Sequence, residues 1–423
     1  MSYPSEKVFT GLDQRDIYEK VANTGWYQDA VYQTFSQAEY QRRHAAMRGK
    51  MAEYNLDCVI APGNGSNWSY GSGMFWLSGM RLHNGNAQYV IFPREGEPTL
   101  ICSQGGAEAE AVRRSVVIPD VRSSNGGDFG NVIADRLEEL GLGKAKIGIL
   151  GCTPGRNDDT MPYNHYQVLI QRFPDATFEV HRKLLHELWY IKSAEEIAAI
   201  ERSGKLLDLA FQAMCSSARP GSSEVEVMGA AAEAVIEAGG EIEFLIMGST
   251  PTADPALPFG NPRPSGRILK KGDVLVNELA VGTMGYTAQM GHPIFIGEPA
   301  EKVRRFWEDI ALPGFNLLAG YMRPGATARE LQEAGRFYND HGVQGRPLLL
   351  HGIDIITGPP KIGVERIIAS DFEQVFKPGM TLMLEPDTIT ADGLLGLFIG
   401  RTFVITETGG YSVSETPIET FIV

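Results

Sequence analysis

The segment GMTLMLEPDTI (379–389) is the most informative part of this chain, because a strand-like apolar run ends in it at a charged residue, Glu385. A second apolar run, GLFIGRTFVITE (396–407), follows after a short turn. Further apolar runs of this kind lie at 241–248, 273–282, 293–299 and 415–423. Strand-like runs that cluster around Gly-rich turns predict a mostly antiparallel, curved sheet.

Helix signals accompany these strand-like runs. Capping boxes, in which side chains satisfy the free N–H groups at the start of a helix, stand at Ser193–Glu196, Ser223–Glu226 and Thr327–Glu330. The first box follows a change in sequence character near residues 186–192, so we expect a domain boundary at residue 190. Residues 191–423 are therefore predicted to form an α+β domain.

The amino-terminal part, residues 1–190, is organised differently. Helical stretches such as GDFGNVIADRLEEL (127–140) separate its strand-like runs. Those runs lie at 57–62, 88–93, 98–103, 115–121 and 146–151. Strands that alternate with helices predict an α/β domain.

Length and composition exclude several classes of protein. A chain of 423 residues is too long for one simple core and agrees with two domains, and 43% hydrophobic residues is the fraction of a globular protein. A formal net charge of −14 argues against a protein that binds a nucleic-acid backbone. No window approaches ~18 consecutive apolar residues and the chain begins with polar residues, so we expect neither a membrane span nor a signal peptide. Four cysteines without a CxxC pair favour a reduced, cytoplasmic protein.

No phosphate-binding motif is present, since no GxGxxG follows a strand and no GxxxxGK[ST] occurs. Four other segments carry the chemical information: 256–279, 285–299, 351–360 and 379–410. Together with YIKSAEEIAAIE (190–201), their order and spacing resemble the creatinase and Xaa-Pro aminopeptidase superfamily, from about residue 36 to residue 410. The resemblance implies an α/β creatinase-type amino-terminal domain and an α+β carboxyl-terminal domain with the pita-bread fold.

The resemblance also implies a set of site positions. Peptidases of this superfamily bind two metal ions through two Asp, one His and two Glu residues, which suit hard divalent cations that share a water molecule. The matching positions here are Glu278, Gln289, His351, Glu385 and Arg401. Gln289 is neutral, and Arg401 would bring a permanent positive charge to a ligand position. We therefore expect no catalytic metal and no other cofactor.

Two more positions depart from the peptidase pattern. A substrate-side His of the peptidases is replaced by Phe259, and a second His that follows the position of His351 falls near Gly358. Creatinase, a superfamily member that hydrolyses a small guanidino acid without metal, relies on the first of these His residues. The chain is therefore not expected to be a plain creatinase, and an ectoine hydrolase is a second precedent of the superfamily.

The polar residues that remain suggest roles in catalysis and binding. His351 is expected to act as the general acid and base, because imidazole titrates near neutrality. Glu385 would orient it or position a water molecule, and Glu278 would bind a cationic group of the substrate. Gln289 offers a hydrogen-bond donor and an acceptor, and Arg401 would hold a substrate carboxylate. The alternative is a salt bridge from Arg401 to both glutamates that merely fills the former metal site.

Three further groups of residues are candidates for substrate binding. Phe259 is one, and His292 either faces the pocket or lies away from it. In creatinase-like dimers the amino-terminal domain of one subunit closes the pocket of the other, and the matching segment here is 74–89. Trp76, Arg81 and His83 would contact the substrate there, with interface packing or a solvated loop as alternatives. The resemblance thus implies a homodimer.

The leading hypothesis is a metal-independent hydrolase that cleaves a C–N bond of a small polar acid, either a zwitterion or a guanidino, amidine or amide compound. A metal-dependent Xaa-Pro aminopeptidase, or prolidase, is the first alternative. A lyase of the superfamily and a non-catalytic binding module also remain open. The expected partner is a small molecule, with no nucleic acid and no membrane.

Overall fold

The chain divides into two units, residues 1–185 and 186–423, in a computed structural model. The structure describes residues 35–63, 72–80, 87–105, 109, 112–113, 115–151, 160–260, 263–345, 348–355, 357–364 and 374–423. The boundary expected from the sequence, at residue 190, lies close to this division. Within the described ranges no helix is long and apolar enough to cross a membrane.

The first unit is built on a six-stranded mixed sheet. Its strands are β1 (Cys58–Gly63), β2 (Gln88–Pro93), β3 (Thr99–Cys102), β4 (Asp120–Ser123), β5 (Lys146–Ile149) and β6 (Thr177–Val180), in the order β4–β3–β2–β1–β5–β6. Its helices are α1 (Gln37–Glu53), α2 (Ser72–Ser78), α3 (Phe129–Glu139) and α4 (Tyr163–Arg172), and α5 (Arg182–Trp189) runs across the division. β1 is buried along its whole length, antiparallel to β2 and parallel to β5. The predicted α/β class is confirmed.

The second unit contains most of the helical and strand elements. Its helices are α6 (Ala194–Ser217), α7 (Glu224–Glu237), α8 (Glu301–Phe306), α9 (Leu312–Ala319) and α10 (Ala328–Asp340), with a π-helical turn (Trp307–Ala311) between α8 and α9. Its strands are β7 (Glu241–Pro251), β8 (Asp273–Thr283), β9 (Tyr286–Gly291), β10 (Ile294–Ile296), β11 (Gln344–Gly345), β12 (Leu350–Ile353), β13 (Thr357–Ile362), β14 (Thr381–Leu384), β15 (Asp387–Ile389), β16 (Gly396–Phe398), β17 (Gly400–Ile405), β18 (Gly410–Ser412) and β19 (Phe421–Ile422).

A large, mostly antiparallel sheet organises this unit. Its main path is β13–β12–β14–β17–β9–β8–β10–β19, with β7 paired to β8 and β18 paired to β17. The pair β10–β19 is parallel. β11, β15 and β16 form a separate three-stranded sheet. The predicted α+β class is confirmed.

The capping boxes predicted from the sequence set the starts of three helices. The side chains of Ser193, Ser223 and Thr327 each accept a hydrogen bond from the backbone N–H of a Glu three residues later. The carboxylate of that Glu accepts a hydrogen bond from the backbone N–H of the cap residue. The first of these helices, α6, covers one face of the sheet, and the hydroxyl of Ser203 donates to the carbonyl of Tyr286 at 2.8 Å. The opposite face is left for the polar residues described next.

Candidate active site

The strand register gathers polar residues on the sheet face that α6 does not cover. Residues directly opposite each other in an antiparallel pair point to the same face. His351 on β12 lies opposite Lys361 on β13 and Met383 on β14, and Met383 lies opposite Thr402 on β17. The hydroxyl of Thr402 accepts a hydrogen bond from the backbone N–H of Gln289 at 2.9 Å. These five residues form one transverse row.

A second row runs beside the first. Gly400 on β17 pairs with Gly291 on β9. When the registers of the neighbouring strands are continued by one residue, Glu385, just after β14, lies opposite Gly400, and Glu278 on β8 lies opposite Gly291. We call the surface formed by the two rows the site face. Its acidic residues stand at opposite ends, since β17 and β9 lie between their strands, which separates the main chains by roughly 14 Å.

His351 and Glu385 form the closest ionisable pair of the site face. Both side chains are buried, and Nε2 of His351 lies 3.4 Å from Oε1 of Glu385. Nδ1 of His351 lies 2.9 Å from the carbonyl of Gly352, which can only accept, so Nδ1 carries the hydrogen. Nε2 is therefore the atom that takes or gives a proton, and a carboxylate stands beside it. This is the geometry that general acid–base chemistry needs.

An aromatic ring covers the middle of the second row. A Cβ atom placed on Gly291 would collide with the ring of Phe398, and one placed on Gly400 would stand 3.0 Å from it, so the ring lies over both glycines. The ring of Phe259 contacts Phe398 edge-on, with 5.5 Å between the ring centroids. The site face is thus polar at both ends and apolar between them.

The prediction that Arg401 lies in this pocket is wrong. Arg401 pairs with Met290, so it points to the opposite face from Gln289. Its side chain is fully buried, and Nη1 donates to the carbonyls of Gly291 at 2.9 Å and Gly400 at 2.8 Å. A shift of one residue along a strand reverses the face, and Gly400 is the residue that the register sets on the site face.

The contacts of Arg401 also contradict the alternative interpretation. In the described part of the chain, its guanidinium makes no ion pair with Glu278 or Glu385. Burial instead lowers the pKa of Arg401 to about 10, while Asp208 on α6 offsets part of that effect. Arg401 is a structural residue of the helix-covered side.

His292 lies in the same buried group as Arg401, so the prediction that it binds substrate in the pocket is also wrong. Its Nε2 lies 2.7 Å from the carbonyl of Glu419, and its Nδ1 lies 3.1 Å from Nη2 of Arg401. The ring is therefore neutral, with Nε2 as donor and Nδ1 as acceptor. Burial and then the charge of Arg401 hold the pKa of His292 well below its ordinary value. Phe211 on α6 packs against the ring, 5.8 Å between centroids.

Among the candidates in the first unit, only Trp76 lies within the described residues. Its side chain has no exposed surface even in the single chain, and the guanidinium of Arg43 stacks over its ring at 5.5 Å. A contact between Trp76 and the substrate of another subunit is therefore wrong, because the ring is core of its own unit. Arg81 and His83 lie outside the described residues.

Two further ionisable residues were missed from the sequence, and one of them lies on the site face. Lys361, which is 5% exposed, lies opposite His351 on the site face. Glu243 stands where the pairing of β7 with β8 shifts by one residue, and burial raises the pKa of its carboxyl to about 7. Alternation along β13 would have identified Lys361 once its register with His351 was known. A bulge such as that at Glu243 leaves no comparable sequence signal.

The side chains of the site face do not fit the two-metal centre of the peptidases. Such a centre needs carboxylates that bridge two ions, but Glu278 and Glu385 stand at opposite ends of their row, with a glycine in place of a further ligand. Within the described ranges, no group of three or more His, Cys, Asp or Glu side chains is arranged to hold a metal ion. The donor set is thus too sparse for that chemistry.

A small cavity of about 10 Å³ also lies in the second unit, and Gly358 is one of its lining residues. Trp189 and Pro360 contribute apolar walls, and Lys192 pairs with Asp354 at 2.8 Å beside them. The charges of Lys192 and Asp354 neutralise each other in this ion pair. We therefore assign the chemistry to the site face and not to this cavity.

Two family models match the chain. The model of the creatinase/prolidase amino-terminal domain matches residues 43–188, and that of metallopeptidase family M24 matches residues 198–407. The chain belongs to the creatinase/M24 superfamily. The predicted creatinase-type and pita-bread domains are confirmed, and this M24 protein is a hydrolase that acts on C–N bonds.

Named relatives of this M24 protein include peptidases and a small-molecule hydrolase. Probable dipeptidase PepE of Mycobacterium tuberculosis is 28% identical over 406 residues, which cover 92% of this chain and 98% of the relative. Ectoine hydrolase of Halomonas elongata is 24% identical over 413 residues, with 92% and 98% covered. The structure of an X-Pro aminopeptidase from Thermotoga maritima has a TM-score of 0.74 at 19% identity, covering 90% of this chain and 99% of that one, and shows the shared fold.

Proposed function

We propose that this M24 hydrolase works without a metal ion and cleaves a C–N bond in a small polar acid that also carries a nitrogen group, such as a guanidino, amidine or amide compound. The composition of the site face carries this proposal. It keeps one imidazole beside one carboxylate, has an amide at Gln289, and has no side chain at Gly400. These groups suit proton transfer better than the binding of two cations.

The proposed route for the proton runs through His351. Nε2 of His351 takes a proton from water as the water oxygen bonds to the substrate carbon, and gives that proton to nitrogen as the C–N bond breaks. Glu385, whose Oε1 lies 3.4 Å from Nε2, holds the water and then the imidazolium. Lys361, opposite His351, takes over the role predicted for Arg401 and holds the substrate carboxylate. Glu278 receives the cationic end at the far side of the row.

Replacement of His351 tests this mechanism. His351→Ala is expected to lower kcat by about 10²–10⁴-fold, because it removes the only group assigned to move the proton. Turnover is measured on a panel of guanidino acids, cyclic amidines and acyl-amino acids. His341→Asn, at the exposed end of α10, is the matched control. If His351→Ala turned over the wild-type substrate at the full rate, the proposed mechanism would be wrong.

A metal-dependent Xaa-Pro dipeptidase is the second candidate, because several relatives carry that name. The two candidates differ in what the purified protein contains. We expect less than one divalent ion per chain after purification without chelators, and unchanged turnover after treatment with EDTA. Two tightly bound ions per chain, together with activity that EDTA abolishes and Mn²⁺ restores, would establish the peptidase instead.

We further propose that the protein is a homodimer in which the amino-terminal unit of one subunit closes the pocket of the other. The family membership supports this proposal. Arg81 and His83 are the residues that would reach the partner's substrate. Trp76 is not among them, since its ring is buried in its own unit.

A further inference from the structure

A charged side chain lies fully buried directly behind the middle of the site face. Arg401 has no exposed surface, and its Nη1 donates hydrogen bonds to the carbonyls of Gly291 at 2.9 Å and Gly400 at 2.8 Å. These two glycines are paired across β9 and β17, in the centre of the second row of the site face. The guanidinium therefore bridges the two strands at the point where neither of them carries a side chain.

The charge of Arg401 is not neutralised by an ion pair in the part of the chain that the structure describes. Within that part, Nη2 contacts the ring of His292 at 3.1 Å and the carbonyl of Thr416 at 3.5 Å, and the buried Nε has no hydrogen-bond partner. Asp208 acts on the guanidinium, but its oxygens accept hydrogen bonds from Ser414 and Thr416. Burial lowers the pKa of Arg401 only to about 10, so the side chain stays charged at neutral pH.

Strand bridging alone does not require this charge. A neutral amide also has two N–H donors for two carbonyls. Burial deprives a cation of its hydration, and replacing buried charged groups by apolar residues of similar volume is often neutral or stabilising. Departures of this kind from a well-satisfied core are expected at functional sites. The charge of Arg401, and not its hydrogen bonds, is therefore the feature that needs a functional reason.

The guanidinium lies where its field reaches the site face. In the continued register, Glu385 lies opposite Gly400, one of the two residues whose carbonyl the guanidinium holds. The ring of Phe398 has no exposed surface and lies over Gly400 and Gly291, so it keeps water from the middle of the site face. Since water and salt screen a buried charge only weakly, the charge of Arg401 acts across the thickness of one sheet.

Divalent cations are the species that this field affects most. The pair of His351 and Glu385 offers an imidazole nitrogen and a carboxylate oxygen, which are ligands for Zn²⁺. A positive charge behind this pair repels a dication twice as strongly as a monocation. It attracts an anionic group instead. The electrostatics of the site face thus favour a substrate carboxylate over a metal ion.

We propose that Arg401 is a positioning residue whose buried charge acts on the site face from behind the sheet and keeps divalent cations away from His351 and Glu385. The inference rests on the proposed function, because it gives a physical reason why a site that retains this histidine and this glutamate works without metal. Arg401 touches no substrate in this arrangement. Its effect is carried by its charge and by its grip on the central pair of glycines.

A zinc titration measures this effect without turnover. ZnCl₂ is titrated calorimetrically into the full-length wild type, into Arg401→Gln, which keeps N–H donors without charge, and into Arg401→Lys, which keeps the charge. We expect Arg401→Gln to bind Zn²⁺ about tenfold more tightly than the wild type, and Arg401→Lys to bind it as weakly as the wild type. Adding His351→Ala should abolish the gain, which locates the ion on the site face. The exposed Arg305→Met removes the same charge from the surface and should change nothing.

Arg401→Met is a second neutral variant, and urea denaturation shows whether each variant is folded. Equal zinc affinity in the neutral variants and the wild type would overturn the role of Arg401. Tight binding by Arg401→Lys would also overturn it, because the loss of the guanidinium fork and not of the charge would then be responsible. A gain that about 1 M NaCl abolishes would do the same, since salt screens buried charges weakly.

Failure of the proposed function gives a different result. If no panel compound is hydrolysed but the neutral variants gain zinc affinity, the hydrolase mechanism is removed and the role of Arg401 stands. If turnover is insensitive to EDTA but zinc affinity is unchanged, only the role of Arg401 is removed. Two tightly bound ions in the wild type would contradict both.

Discussion

Burial raises the pKa of the Glu243 carboxyl from 4.5 to about 7, so its charge opposes folding at neutral pH. The protonated form is favoured in the folded state, and stability therefore falls as the pH rises from 4.5 through 7. Glu243→Gln removes this titration. Relative to the wild type, the variant should gain on the order of 2 kcal/mol in the free energy of unfolding between pH 4.5 and pH 8.

Urea denaturation at the two pH values measures this difference. Glu237→Gln, on the exposed end of α7, is the control and should show no pH-dependent gain. An identical change of unfolding free energy at pH 4.5 and pH 8 for Glu243→Gln would contradict the assigned pKa. That result would mean that the carboxyl is solvated and that the bulge does not bury it.

Whether a site residue could be predicted from the sequence depended on assigning it to the correct face of its strand. His351, Glu385, Glu278 and Gln289 were all predicted as site residues, and the register sets them on one face. Arg401 was predicted to join them, but a family pattern read one position out of step along a strand gives the wrong face. In the run 396–402, a shift of one residue exchanges Gly400 and Arg401 at the aligned position.

At the level of elements, the absence of side chains at Gly291 on β9 and Gly400 on β17 lets the ring of Phe398 on β16 pack closely against both strands. A Cβ on Gly400 would stand 3.0 Å from Cε1 of Phe398 and closer still to the methyl group of Met383. A Cβ on Gly291 would collide with Phe398 and stand 2.8 Å from the carbonyl of Asn277. Because these neighbours are buried, Gly291→Ala and Gly400→Ala should each destabilise the protein by about 1–3 kcal/mol.

Thermal or chemical denaturation checks this prediction. Gly409→Ala is the control, since a Cβ there meets nothing within 4 Å, and it should leave stability nearly unchanged. The cost of Gly291→Ala should be smaller in a Phe398→Leu background, which gives the added methyl group room. An unchanged cost in that background would show that the ring of Phe398 is not the obstacle.

Some elements follow from local sequence, whereas others depend on distant pairing. The capping boxes fixed the starts of α6, α7 and α10, because cap and helix are adjacent in the chain. The bulge at Glu243 and the small sheet β11–β15–β16 depend on contacts between distant segments. Such features need the register, which hydrophobic alternation alone does not specify.

At the scale of the molecule, the charge of the site contrasts with that of the whole chain. The formal net charge of the chain is −14. The site face, in contrast, carries both signs: its acidic residues are Glu278 and Glu385, and its basic residues are Lys361 and His351. The acidic surplus therefore lies elsewhere, mostly where water solvates it. The two-domain organisation and the class of each domain were predictable, because each unit has its own pattern of strands and helices. The substrate was not, because it depends on a few side chains brought together by register.

The proposed dimer can be tested by complementation between two defective subunits. His351→Ala disables the pocket in the second unit, and Arg81→Ala with His83→Ala would disable the segment that closes the partner's pocket. A mixed dimer has one site with both defects and one site with none. When equal amounts are unfolded and refolded together, about half of the dimers are mixed, so about one quarter of wild-type turnover should return.

The same mixture separates the competing arrangements. If each site is completed by its own chain, no pairing of these variants can restore an intact site, and turnover stays at the level of the separate variants. A monomeric mass in light scattering at assay concentration would also contradict the dimer. Recovery near one quarter, accompanied by a dimeric mass and lost on dilution to a monomeric state, would show that the two amino-terminal residues act across the interface and that the catalytic unit needs a second copy to close its site.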